Sequence, residues 1–141
     1  MRLATIADYA NVTENGKLNI MGIFAQISPP QLPYVLPTMY IVLQLVANLA
    51  EVGSTKEIKI SLIDEDGAQL LEAVSNAVVP APKLAKKGVS ESQVVLSINN
   101  LRFDKPGDYE FCIVINGETK KTIELRVNQQ EVTEEDVHSK D

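Results

Sequence analysis

The sequence predicts an all-β domain, an antiparallel β-sandwich of about eight strands. Three observations carry that prediction. Hydrophobic residues make up 45% of the chain, yet aromatics are only 5% and Trp is absent, so the core is built from Val, Ile and Leu, which fit strands. Apolar and polar residues alternate with period two in the clearest segments: Ile58, Ile60 and Leu62 against Glu57, Lys59 and Ser61, and Ile123, Leu125 and Val127 against Thr122, Glu124 and Arg126. Turn residues punctuate the chain at short intervals, at Asn15-Gly16, at 64–67 (DEDG) and at Asn116-Gly117.

The elements follow in order. A first strand covers 2–9, and Asn15-Gly16 turns the chain into a second from Lys17 to Ile27. A proline-rich connection follows, with Pro29, Pro30, Pro33 and Pro37; proline lacks the amide donor, so this segment is expected outside any sheet interior. The third strand is Met39 to Ala47 and the fourth is Glu57 to Ile63. The DEDG hairpin signal favours a fifth strand within Gln69 to Val79 over the helix that AQLLEAVSNAV also allows. A long loop, PAPKLAKKGVSES, leads to a sixth strand at Gln93 to Asn99. LRFDKPGDY is a corner, and Tyr109 to Ile115 and Thr119 to Val127 complete the set.

At 141 residues the chain suits one domain over 1–128 with a core of its own. Residues 129–141 read as a disordered acidic tail. From Glu131 to Asp141 there are five acids and one Lys, so the tail carries −4 of the net −6 and the body −2. That balance argues against nucleic-acid binding, which needs cations to displace phosphate counterions, and gives no broad basic surface for anionic lipid. The single cysteine, Cys112, permits no intrachain disulfide and fits a reducing cytoplasm. MRLATIADYA has no long apolar run and no segment approaches the ~18 apolar residues of a span, so neither signal peptide nor membrane contact is expected. Asn11-Val12-Thr13 matches a glycosylation sequon and reads as a chance match.

Catalytic chemistry is poorly served. The only histidine, His138, sits in the tail, and Cys112 lies mid-strand between Phe111 and Ile113, where it reads as a small hydrophobe. No cofactor is expected. The acidic turns invite a different reading. If the strands alternate in direction, the loops after the fourth and sixth lie at one end, and Asp64, Asp66, Asp104 and Asp108 can converge as hard oxygen ligands for calcium. The competing reading is that Asp and Gly are ordinary turn residues. Lys83, Lys86 and Lys87 likewise read as a solvated loop before an anion site.

The strongest signal is a surplus of apolar surface. In the second strand Leu18, Ile20 and Phe24 share one face, and Met21, Ile23, Ala25 and Ile27 the other. In the third, Tyr40, Val42 and Val46 oppose Ile41, Leu43, Leu45 and Ala47. A sandwich core uses one face only. The second is covered by the Pro-rich segment folding back, by another copy of the chain, or by a different protein, since an uncovered patch is unusual on a monomer. Met21, Ile23, Tyr40, Val42, Leu32, Tyr34 and Leu36 are the residues expected at such a contact.

FDKPGDYEF resembles the corner before the sixth strand of immunoglobulin-like and fibronectin-like domains, where a tyrosine packs inward and bonds the turn backbone. The resemblance gives that part to Tyr109, with Pro106 and Gly107 shaping the turn, and leaves an immunoglobulin-like or C2-like sandwich as the expected architecture. The chain as a whole resembles an uncharacterised family of small bacterial β-sandwich proteins, through Asp8-Tyr9-Ala10, GKLNIMGIF at 16–24, ISLIDEDG at 60–67 and KPGDYEFCIVING at 105–117. That resemblance implies a bacterial or phage-associated cytosolic sandwich and brings no activity. The expectation is therefore a non-enzymatic binding or assembly module, self-associating as a homodimer or meeting another protein. The alternative is a calcium- or small-ligand-binding sandwich using the loops at 64–67 and 104–108.

Overall fold

A computed structural model describes residues 1–80 and 89–129. Among the described residues are nine strands: β1 (Leu3–Val12), β2 (Leu18–Ile23), β3 (Gln26–Ile27), β4 (Tyr34–Asn48), β5 (Thr55–Ile63), β6 (Gln69–Val78), β7 (Val89–Phe103), β8 (Gly107–Ile115) and β9 (Glu118–Val127). A single 3₁₀ turn follows β4 at Leu49–Glu51. The strands form two packed sheets, ordered β2-β1-β4-β7 and β3-β9-β8-β5-β6. The fold is an all-β sandwich. Its β1-β4-β7 and β9-β8-β5-β6 layers repeat the A-B-E and G-F-C-C′ order of immunoglobulin-like domains. β2 adds a strand beyond β1, and β3 pairs parallel with β9.

The core is aliphatic with a few rings. Ile6, Met39, Ile41 and Leu43 from one sheet meet Ile58, Ile60, Leu62, Phe111, Ile113 and Leu125 from the other, all buried. In β5 and β9 the inward residues are those of the period-two pattern, because a pleated strand turns alternate side chains to opposite faces. Gln69–Val78 is a strand: the hairpin signal outweighs helix propensity once β5 offers a partner from Thr55 to Ile63.

Three expectations are corrected. The expected second strand is two. It breaks after Ile23, one residue past Gly22, whose φ of +72° is open to glycine but strained for other residues. The chain then crosses between the sheets, the Ala25 carbonyl accepts from Arg126 N–H at 2.9 Å, and Ile27 joins the core instead of the outer face. Secondly, β4 starts at Tyr34, so it includes Pro37. β1 pairs only with residues 40–44 of β4, which leaves one edge free beside the proline. Pro37 falls opposite Asn100, between the Leu36–Leu101 and Thr38–Asn99 pairs, and Asn100 has φ +55°. There both strands switch faces in step, which turns Leu36 and Leu101 inward. Thirdly, β7 runs fifteen residues, well beyond Gln93–Asn99 at both ends, because β4 is long enough to pair with all of it.

Candidate functional site

The outer face of the β2-β1-β4-β7 sheet holds an apolar cluster on paired backbone. Ile23 lies opposite Ala7, and Ala7 opposite Tyr40; Met21 lies opposite Tyr9. Tyr9 and Tyr40 meet edge to face with ring centroids 5.2 Å apart. Met21 is 70% exposed, Ile23 63% and Tyr9 46%. The far end of the same face is polar: Glu91 accepts from Gln44 Nε2 at 2.7 Å and pairs with Arg2.

The expected contact residues divide. Met21, Ile23 and Tyr40 share this outer cluster. Val42, between Thr5 and Val95 on the flanking strands, is fully buried and offers nothing to a partner. Leu32 and Leu36 pack against the core, and Tyr34 is half-buried opposite Phe103. The Pro-rich segment is therefore part of the sandwich and does not fold over the Met21–Ile23 face.

The acidic turns do share one end, but they gather around a lysine. Lys105 Nζ lies 3.0 Å from Asp66 Oδ2 and 3.7 Å from Asp64 Oδ2. Asp64 Oδ1 also accepts from the N–H groups of Asp66 and Ala68, each at 2.9 Å, which holds the turn. The Ala68 bond is the main cause that lowers the Asp64 pKa, with Asp66 N–H and Lys105 adding to it. Lys105 is raised, chiefly by its bond to Asp66. Asp104 pairs with Arg102 at 2.6 Å and Asp108 with Arg126 at 3.3 Å. Among the described residues no cluster of three or more His, Cys, Asp or Glu side chains has the arrangement of a metal site. The four aspartates thus do not converge for calcium: each has a cation of the protein's own beside it.

Between these turns sits the corner. The Tyr109 hydroxyl donates to the Lys105 carbonyl at 2.6 Å, and its ring packs edge to face on Phe103, centroids 5.0 Å apart. Burial raises the phenol pKa. Gly107, just after Pro106, leaves room for Glu65: a Cβ there would lie 2.8 Å from Glu65 Oε1, which accepts from Asp108 N–H at 2.6 Å. Cys112 is half-buried on the outward side of β8, its thiol pushed up mainly by burial. His138 and Lys83, Lys86 and Lys87 lie outside the described residues.

A profile described as a family of unknown function (DUF6941) matches residues 2–128. The chain belongs to that family. Its match spans the sandwich and stops before the acidic tail. No curated protein matches the sequence. Among solved structures the chain is similar to the Pseudomonas fluorescens alkylpurine DNA glycosylase AlkC bound to DNA containing an abasic site analog, at 15% identity and a TM-score of 0.41. The likeness covers 89% of this chain and 30% of that one, so the chain spans under a third of that protein's length. A likeness that low carries no argument. Among the described residues no helix is long and apolar enough to cross a membrane.

Two features of this family member escape a strand-by-strand reading. Tyr9 ends the expected first strand with no assigned role, yet it packs against Tyr40 because β1 continues to Val12 and β4 lies beside it. Leu70, Val74 and Val78 are all exposed on β6, the last strand of its sheet. Their spacing of four is visible in the sequence, but the position at an edge is not. At the end away from the corner a cavity of about 250 Å³ opens between the sheets, lined by Leu45, Ala77 and Ile115 with the Glu51–Lys56 ion pair beside them.

Proposed function

We propose that this chain is a non-enzymatic binding and assembly module that self-associates through the outer face of β1, β2 and β4. The carrying observation is the contiguous exposure of Met21, Ile23 and Tyr9 beside Tyr40. Scattered exposed hydrophobes are ordinary; a cluster held on paired strands is a contact surface. A second copy is the natural occupant, because a two-fold contact lays the same apolar cluster against itself. Each Ile or Met side chain withdrawn from water contributes roughly 1.5–3 kcal/mol. Association costs offset much of that sum, which favours a reversible, concentration-dependent contact.

The non-enzymatic reading is supported by Cys112, half-buried mid-strand with its thiol pushed up by burial, which disfavours the nucleophilic thiolate. A bacterial cytoplasm is supported by the family resemblance and the lone cysteine. The test is molar mass by light scattering after size exclusion, over a range of concentrations. Mass above one chain, lowered at least two-fold by Ile23→Lys, is the expected result. A mass that Ile23→Lys leaves unchanged overturns the reading.

A further inference from the structure

β6 is an open edge. It pairs with β5 on one side, and among the described residues no strand pairs with the other. Edge strands expose a row of unpaired N–H and C=O groups, and proteins usually blunt them with proline, charged side chains, β-bulges or short length. β6 is ten residues long and has no proline, lysine or glycine; its one irregularity is at its start, where the register with β5 shifts between Leu71 and Gln69, and its one charge is Glu72, held by Gln69 and by Lys59 of β5. The other long edge, β7, differs. Its outer face carries Glu91, Gln93 and Ser97, opposite Val46, Gln44 and Tyr40 of β4.

The free side of β6 can be read from the hydrogen bonds at its end. Val79 N–H donates to Ser54 O, and Gly53 N–H to Val79 O, each at 2.9 Å. Val79 therefore points both backbone groups at the β5 side. In an antiparallel ladder these groups alternate, so Val78, Asn76, Val74 and Glu72 point theirs outward; Leu70 lies in the register shift between Leu71 and Gln69, at the end of the regular ladder. From Leu70 to Val78 the exposed side chains are Leu70, Glu72, Val74, Asn76 and Val78, and Gln69 at the bulged start is exposed too. Val74 is 54% exposed and Val78 62%.

This row is symmetric about its middle. It runs apolar, polar, apolar, polar, apolar, with Val74 at the centre. A second antiparallel copy with its two-fold axis at Val74 sets Val74 opposite Val74, Leu70 opposite Val78 and Glu72 opposite Asn76. Every apolar side chain meets an apolar one, the acid meets a neutral amide donor, and no like charges face. The three central pairs, Val74 with Val74 and Glu72 with Asn76 on either side, are then hydrogen-bonded pairs. Moving the axis to Ala73 or Ser75 sets Val74 against Glu72 or Asn76, and moving it to Glu72 sets two carboxylates face to face.

We propose that β6 joins β6 of a second copy, antiparallel and centred on Val74, so that two five-stranded sheets become one continuous ten-stranded sheet. This interface is separate from the Met21–Ile23 face and lies on the other sheet. A chain using both grows beyond a dimer.

The experiment separates the two. Light scattering is run on the full chain, on Ile23→Lys, on Val74→Lys and on the double variant, with circular dichroism confirming β structure. Ile23→Lys is expected to retain a dimer, and adding Val74→Lys is expected to halve that mass to one chain. Because Val74 faces its own copy on the axis, mixing Ile23→Lys/Val74→Lys with Ile23→Lys/Val74→Glu is expected to restore the dimer. A monomeric Ile23→Lys overturns the edge pairing while leaving the face contact standing. Failure of the mixed pair to recover mass also overturns it. If Val74→Lys alone is a monomer and Ile23→Lys matches the wild type, the edge stands and the face contact falls.

Discussion

The Tyr109 hydroxyl donates to the Lys105 carbonyl at 2.6 Å, closing the five-residue corner Lys105–Tyr109, while the Tyr109 ring packs on Phe103. This bond ties the β7–β8 connection to the core. Tyr109→Phe keeps the packing and leaves the carbonyl without this donor. The expected loss is about 1–2 kcal/mol in urea unfolding. No measurable loss would mean that water replaces the hydroxyl fully.

Gly22 sits where β2 stops and the chain crosses to β3. Its φ is +72°, and a Cβ would collide with the carboxylate of Asp8. Gly22→Ala is expected to destabilise by about 1–2 kcal/mol from backbone strain. Asp8→Ala removes the carboxylate but leaves its own Cβ 3.1 Å away and the backbone strain in place, so the double variant should recover only part of the loss. Full recovery would assign the whole cost to the contact.

Asp64 gives a pH dependence of known sign. Its folded pKa is below the ordinary value of 3.8, first through the Ala68 N–H. The stability it contributes is fully present above 3.8 and is lost as pH falls through the lower folded value. The difference in melting temperature between wild type and Asp64→Asn should hold steady down to about that pH and shrink below it. A difference that grows in acid would contradict the assignment.

Calcium should leave the melting temperature unchanged, since Lys105 already stands between Asp64 and Asp66. A rise on adding calcium, lost in Asp66→Asn, would restore the two-loop metal site that the acidic turns suggest.

The strands whose two faces differ were legible from pattern alone. β5 and β9 alternate cleanly because one side meets the core and the other water, and the Tyr109 corner stands in its local residues. Two kinds of feature were not legible. Where the chain changes sheet, at Phe24–Ala25, residues 20–25 are apolar on both faces, so period two marks no boundary and only the positive φ of Gly22 lies near the break. Where function depends on which strands are neighbours, local sequence is silent. The burial of Val42 needs Thr5 and Val95 beside it, and the exposure of Val74 needs β6 to be last in its sheet. The aspartates at one end were readable, but a lysine between two of them was not, because its partners lie 39 and 41 positions away (105 − 66 and 105 − 64).

The most direct measurement is the molar mass of the wild-type chain and of Ile23→Lys across concentration. A wild-type mass above one chain, rising with concentration and cut at least two-fold by Ile23→Lys, is what the exposed Met21–Ile23 face predicts. A wild type that stays at one chain throughout, or a variant that matches it, would contradict self-association through that face.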